Sequence, residues 1–188
     1  MRTANNPDDI WLANSYHVLE PKQEIPMFAR ILLTTALAMS AGMASAQDLQ
    51  PWGESDYWAV MIDPTLGNGC LIQAEFQDGS LVRIGLDQVA GGGYVTVFNA
   101  AWGAIEADTM YPVSFDLDGE SYDGEAKGMI LDGVPGADIA FDNVDFFMSI
   151  AKHQTMTMFQ DGTEVLSIDL TGTMAGLEAV LACQDEQG

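Results

Sequence analysis

Positive charge is scarce in this chain. Six Lys and Arg stand against 28 Asp and Glu in 188 residues, a formal net charge of −22. Nucleic acid and anionic membrane are gripped through clustered Lys and Arg, so neither is an expected partner. Histidine is also scarce, with only His17 and His153. A serine hydrolase needs a histidine beside its nucleophile and usually a Gly-x-Ser-x-Gly elbow, and no such elbow occurs. Zinc-ligand spacing is missing. Gly91, Gly92 and Gly93 are followed by neither the helix nor the Lys of a phosphate loop. Paired carboxylates for glycoside cleavage carry no information here, because among so many acids some pair always approaches. With so thin a catalytic inventory the reading leans away from an enzyme. Low complexity is lacking too. Aromatic and branched residues are spread along the chain, and 48% apolar residues suffice for one core.

No apolar run is long enough to cross a bilayer comfortably. The longest, 31–39, follows Arg30 and precedes the small residues Ala44, Ser45 and Ala46. A short basic region, a nine-residue apolar region and an Ala-x-Ala site describe a secretory signal over 27–46, with a buried core helix as the alternative. Cleavage after Ala46 leaves Gln47 first and sends the protein to the periplasm or beyond. No Cys follows that point and no Arg-Arg pair precedes it, so no stable membrane anchor and no export of a folded chain are expected. Residues 1–26 are polar and contain Pro7, Pro21 and Pro26. They read as an extension upstream of a true start at Met27, or as an extended signal peptide, which sets Trp11 and His17 aside.

The remaining stretch, 47–188, reads as a single domain. It holds 24 acids and three bases, Arg83, Lys127 and Lys152, for a net charge of −21. Such self-repulsion is relieved by salt or by bound cations. Its two cysteines, Cys70 and Cys183, allow one intramolecular disulfide, which suits an exported chain; two buried thiols are the alternative.

Asp-Gly pairs at 78–79, 118–119, 132–133 and 161–162 are hairpin signals. Period-two alternation predicts strands near 70–76, 82–86, 94–98, 111–117, 139–141, 155–159 and 163–170, with a central strand at 57–62. Helical spacing appears near 143–153 after Asn143, and again near 173–183 with Met174, Leu177 and Leu181 on one stripe. The fold class is α+β and mainly antiparallel: eight or nine short strands curled into a sheet, sandwich or open barrel, with those two helices packed on it.

Three groups of residues are candidates for function. Asp116, Asp118, Glu120, Asp123 and Glu125 form the densest acid cluster and invite calcium as a cofactor. The EF-hand pattern fails because Ser121 and Lys127 occupy its sixth and twelfth positions. Hairpin strands with solvent-facing acids explain the spacing better. His153, Met156 and Met158 are soft ligands that suit copper, although period-two methionines also describe a core strand. Trp52 and Trp102 are aromatics that a sheet rim could offer to a sugar, an apolar ligand or a partner protein.

A Trp-bearing strand ending in Asp63-Pro-Thr-Leu-Gly-Asn-Gly-Cys70, together with the terminal segment from Leu170 to Cys183, resembles small exported proteins of alphaproteobacteria. The resemblance implies a periplasmic β-rich fold with a cysteine pair and carries no activity. The sequence therefore points to a non-catalytic binding or accessory module with a protein or envelope component as partner. The alternative is a cation-binding protein, or a cation-dependent hydrolase, using residues 116–125.

Overall fold

The computed structural model describes residues 48–103 and 105–188. The predicted signal peptide over 27–46, its predicted cleavage site and the predicted 1–26 extension lie outside the described residues. The strands are β1 (Gln50–Ser55), β2 (Trp58–Asp63), β3 (Gly69–Glu75), β4 (Leu81–Leu86), β5 (Gly93–Phe98), β6 (Met110–Leu117), β7 (Glu120–Leu131), β8 (Val134–Phe141), β9 (Thr155–Gln160) and β10 (Thr163–Asp169). Helix α1 spans Val144–Ile150 and α2 spans Thr173–Gln187. The ten strands form one antiparallel sheet in the order β1-β2-β3-β4-β5-β8-β7-β6-β9-β10. Among the described residues the sheet does not close, and with the two helices it makes the expected mainly antiparallel α+β fold.

Three Asp-Gly pairs make the tightest turns. Asp118-Gly119, Asp132-Gly133 and Asp161-Gly162 all have φ between 50° and 96°, the type I′ geometry whose twist matches paired strands. At 78–79 only Gly79 has positive φ, and Phe76 exchanges backbone hydrogen bonds with Gly79 and Ser80, which makes a longer loop. A fifth pair, Asp123-Gly124, lies inside β7 opposite Ser114 and Val113 and turns nothing. Local chemistry permits a turn there, but continuous pairing with β6 from Glu120 to Lys127 overrides it.

Two sequence expectations change. Strand β1 precedes the segment predicted to come first. Its Gln-Pro-Trp-Gly run lacks alternation, and it joins the sheet at an edge with a bulge between Pro51 and Gly53. Strand β2 is thus second from the edge, and the two central strands are β5, buried on both faces, and β8.

The inner face of the sheet carries the core. Val60, Ile72, Ile84, Val95 and Ile139 stand opposite one another across five strands. Helix α2 packs over β1 to β4. Its buried stripe is Gly176, Leu177, Val180 and Cys183, with Met174 and Leu181 only partly covered. The stripe is rotated from the expected one because Gly176 is the point of closest approach. A Cβ there would lie 3.1 Å from Ile72 and 3.5 Å from Trp58. Helix α1 starts where the Asn143 carbonyl accepts from Phe146 and Phe147, and it packs on β5.

Cys70 on β3 and Cys183 on α2 are joined and fully buried. The bond spans a sequence separation of 113 residues, which by chain entropy contributes about 5 kcal/mol. Replacing both cysteines with alanine should lower the unfolding free energy in urea by about that amount. An unchanged midpoint and slope would show that α2 holds without the bond.

Candidate functional site

The inner face changes character past β5. Where β2 to β5 present Val and Ile, the inner face of β7 and β8 carries the small residues Ala126 and Ala137, with Gly124 and Gly128 flanking Ala126 on β7. Small side chains leave a hollow that α2 does not reach. The result is a cleft of about 340 Å³, floored by Val113, Ala126, Ala137 and Met158. That volume lies at the small end of the range for ligand sites.

Two features build the walls. The loop after β5 carries Trp102, and Asn99 fixes it. The Asn99 side chain accepts from Ala101 N at 2.8 Å and donates to Ser80 Oγ at 2.8 Å. On the other side the β9–β10 pairing shifts register between Glu164 and Leu166. This bulge turns Val165 toward the cleft, and the Val165 carbonyl accepts from Trp102 Nε1 at 3.2 Å. Tyr111 and Ile105 complete the apolar wall. The Tyr111 hydroxyl accepts from Glu106 N at 2.9 Å. Gly128 allows this loop to pass, since a Cβ there would sit 2.2 Å from the Glu106 carbonyl. Gln160 and Glu164 are the polar side chains of the lining. The arrangement can enclose an apolar group and hold a donor at its mouth.

Trp102 thus lies on a rim. Trp52 does not share it: it is half-buried, and its indole donates to Glu186 at 2.9 Å, which ties β1 to the end of α2. Sequence reasoning missed Ile105 and Val165. The bulge that exposes Val165 leaves no local signature.

The acid cluster is engaged in hydrogen bonds. Asp116 accepts from Gly119 N at 2.7 Å and from Ser121. Both carboxylate oxygens of Asp118 accept backbone donors, Gln154 N at 2.7 Å and Thr155 N at 3.0 Å. This locks the β6–β7 turn onto the start of β9. Glu120 accepts from the Tyr122 hydroxyl, and that bond raises the Tyr122 pKa. Asp123 and Glu125 are exposed on β7. Among the described residues no three His, Cys, Asp or Glu stand close enough to hold a metal ion.

The soft-ligand group is divided. Met156 and Met158 are buried core residues, the second flooring the cleft. His153 follows α1, with Nδ1 at 2.8 Å from the Ser149 carbonyl.

No family model matches the sequence, and no curated protein matches it. A solved structure does match: invasion associated protein B from Bartonella henselae, at 12% identity and a TM-score of 0.51. The match covers 74% of this chain and 99% of that one. At this identity the likeness is one of fold. Its source organism is an alphaproteobacterium, in keeping with the resemblance drawn from the sequence. No helix among the described residues is long and apolar enough to cross a membrane.

Asp118 separates a structural from a cation-binding role for the acids. Asp118→Asn keeps the turn but loses a charge-assisted acceptor, and it should cost about 1 kcal/mol equally in EDTA and in calcium. A loss seen only with calcium present, in thermal melts at matched ionic strength, would assign the cluster to the cation.

Proposed function

We propose that this protein is an exported, non-catalytic binding module of the bacterial envelope, and that it holds an apolar segment of a partner protein in the Trp102 cleft. The observation that carries the reading is the cleft itself. It is an apolar hollow on the uncovered half of the sheet, built by small floor residues and a strand bulge. Its rim aromatic is fixed by a hydrogen bond, so little order has to be gained on binding. Interface anchors are often aromatics of this kind seated in apolar pockets.

Charge selects the partner. Glu164 stands at the mouth, and the chain as a whole carries −22. Complementarity favours a segment whose apolar anchor is flanked by Lys or Arg. Several features support an exported setting: the Ala-x-Ala signal pattern, a buried disulfide that persists in oxidising compartments, and structural likeness to a protein named for an association with invasion.

Site-specific photo-crosslinking in cells tests this reading. A photoreactive residue at Ile105 or Val165 should give a discrete adduct with an envelope protein, and Trp102→Ala should reduce its yield at least tenfold. The same residue at exposed Gln154, which precedes β9 at its end away from the cleft-lining Met158 and Gln160, should give none. Equal yields at all three positions, or none at the cleft, would contradict it.

A further inference from the structure

The outer face of the sheet bears a polar row. Gln73 on β3, Arg83 on β4, Thr96 on β5, Asp138 on β8 and Lys127 on β7 stand in register, each opposite the next. A cleft of about 210 Å³ lies over this row and is separate from the Trp102 cleft on the inner face. Two of the three bases in 47–188 meet here, in a chain where bases are rare.

Arg83 is held but not neutralised. Its Nε donates to Gln73 Oε1 at 3.1 Å, and its guanidinium carbon lies 5.6 Å from the centre of the Phe98 ring. The ion pair found among the described residues is Lys127 with Asp108 at 2.7 Å, so Arg83 has no carboxylate partner. Both Nη groups stay open on an oriented plane. That is the geometry a carboxylate meets with two parallel hydrogen bonds. Asp138 lies two strands away, about 10 Å between Cα atoms. One of its oxygens accepts from Thr96 Oγ1, and the other accepts from no donor among the described residues. Burial raises its pKa, while the Thr96 bond and Lys127 act the other way.

We propose that this cleft binds a small zwitterion of the α-amino acid class, its carboxylate on the open fork of Arg83 and its ammonium on Asp138. The lining sets two bases against Asp63, Asp87 and Asp138. An anion alone meets three carboxylates and a cation alone meets two bases, whereas a zwitterion satisfies both. The volume equals about seven waters, which limits the ligand to roughly ten heavy atoms. Leu66, Phe98 and Met129 on the lining suit an apolar side chain.

The test is isothermal titration of the purified full chain with each proteinogenic L-amino acid singly, at matched ionic strength. At least one should saturate at one per chain. For that compound, the amide lacking the carboxylate and the acid lacking the amine should each bind at least tenfold more weakly. Arg83→Gln and Arg83→Lys should also weaken it at least tenfold while leaving the thermal midpoint unchanged. The lysine variant keeps the charge and removes only the fork. Asp138→Asn should weaken the amino acid and leave the deaminated acid unaffected. Saturation by none of the amino acids overturns the proposal. So does equal binding of the deaminated acid, or unchanged affinity in both Arg83 variants.

Discussion

Helix α2 is fastened to the sheet at two points, and most of the architecture follows from where those points lie. Gly176 brings its backbone against Ile72 and Trp58, and the Cys70–Cys183 bond fixes the same helix to the same strand two turns later. An apolar sheet face must be covered by something. Here the cover is a single 15-residue helix, enough for β1 to β4 and no more. Helix α1 extends it over β5. Phe146 of α1 reaches one end of β6 and β7, and the rest of their inner face is left to side chains and loops.

That asymmetry explains the composition of the two halves. Under α2 the inner residues are branched and large, and they fill the space. At one end Phe146 of α1 joins Phe115, Tyr122 and Phe141 in an aromatic cluster that closes the face by ring contacts at 5.1 to 5.7 Å. At the other end Ala126, Ala137 and Gly128 are too small to do so, and the Trp102 cleft remains. The acids are distributed by the same logic. They occupy turns and outward strand positions, where many accept backbone donors, as Asp118 does across 36 residues to Gln154. Negative charge is thereby spent on local structure, and the few bases are left to define one polar row on the outer face.

Much of this was legible in the sequence where the signal was local. Asp-Gly pairs placed three tight turns because I′ geometry needs positive φ at both positions. Alternation found most strands, and the cysteine pair was the one available. Strand β1 was not legible, since an edge strand with Pro51 and Gly53 forms only because β2 offers a partner. The central strand was misplaced for the same reason: centrality is a property of strand order, and β5 gains it by pairing with β8. Trp102 could be named as a rim residue, but its companions Ile105 and Val165 could not. Val165 depends on a bulge, and the placing of Arg83 and Asp138 in one outer-face row, 55 residues apart in sequence, depends on the pairing of β5 with both β4 and β8.

The claim at the centre of this account is that the uncovered half of the inner face is the contact surface. Two-dimensional NMR of the oxidised, ¹⁵N-labelled protein reads it directly through the tryptophan indoles, titrated with a short Leu-Lys peptide and with its Leu-Glu counterpart. The Trp102 indole signal, held by the Val165 carbonyl, should move with the basic peptide and stay still with the acidic one, while that of fully buried Trp58 stays still with both. A fixed Trp102 signal, or a shift led by Trp52 or Trp58, would contradict the assignment of the cleft.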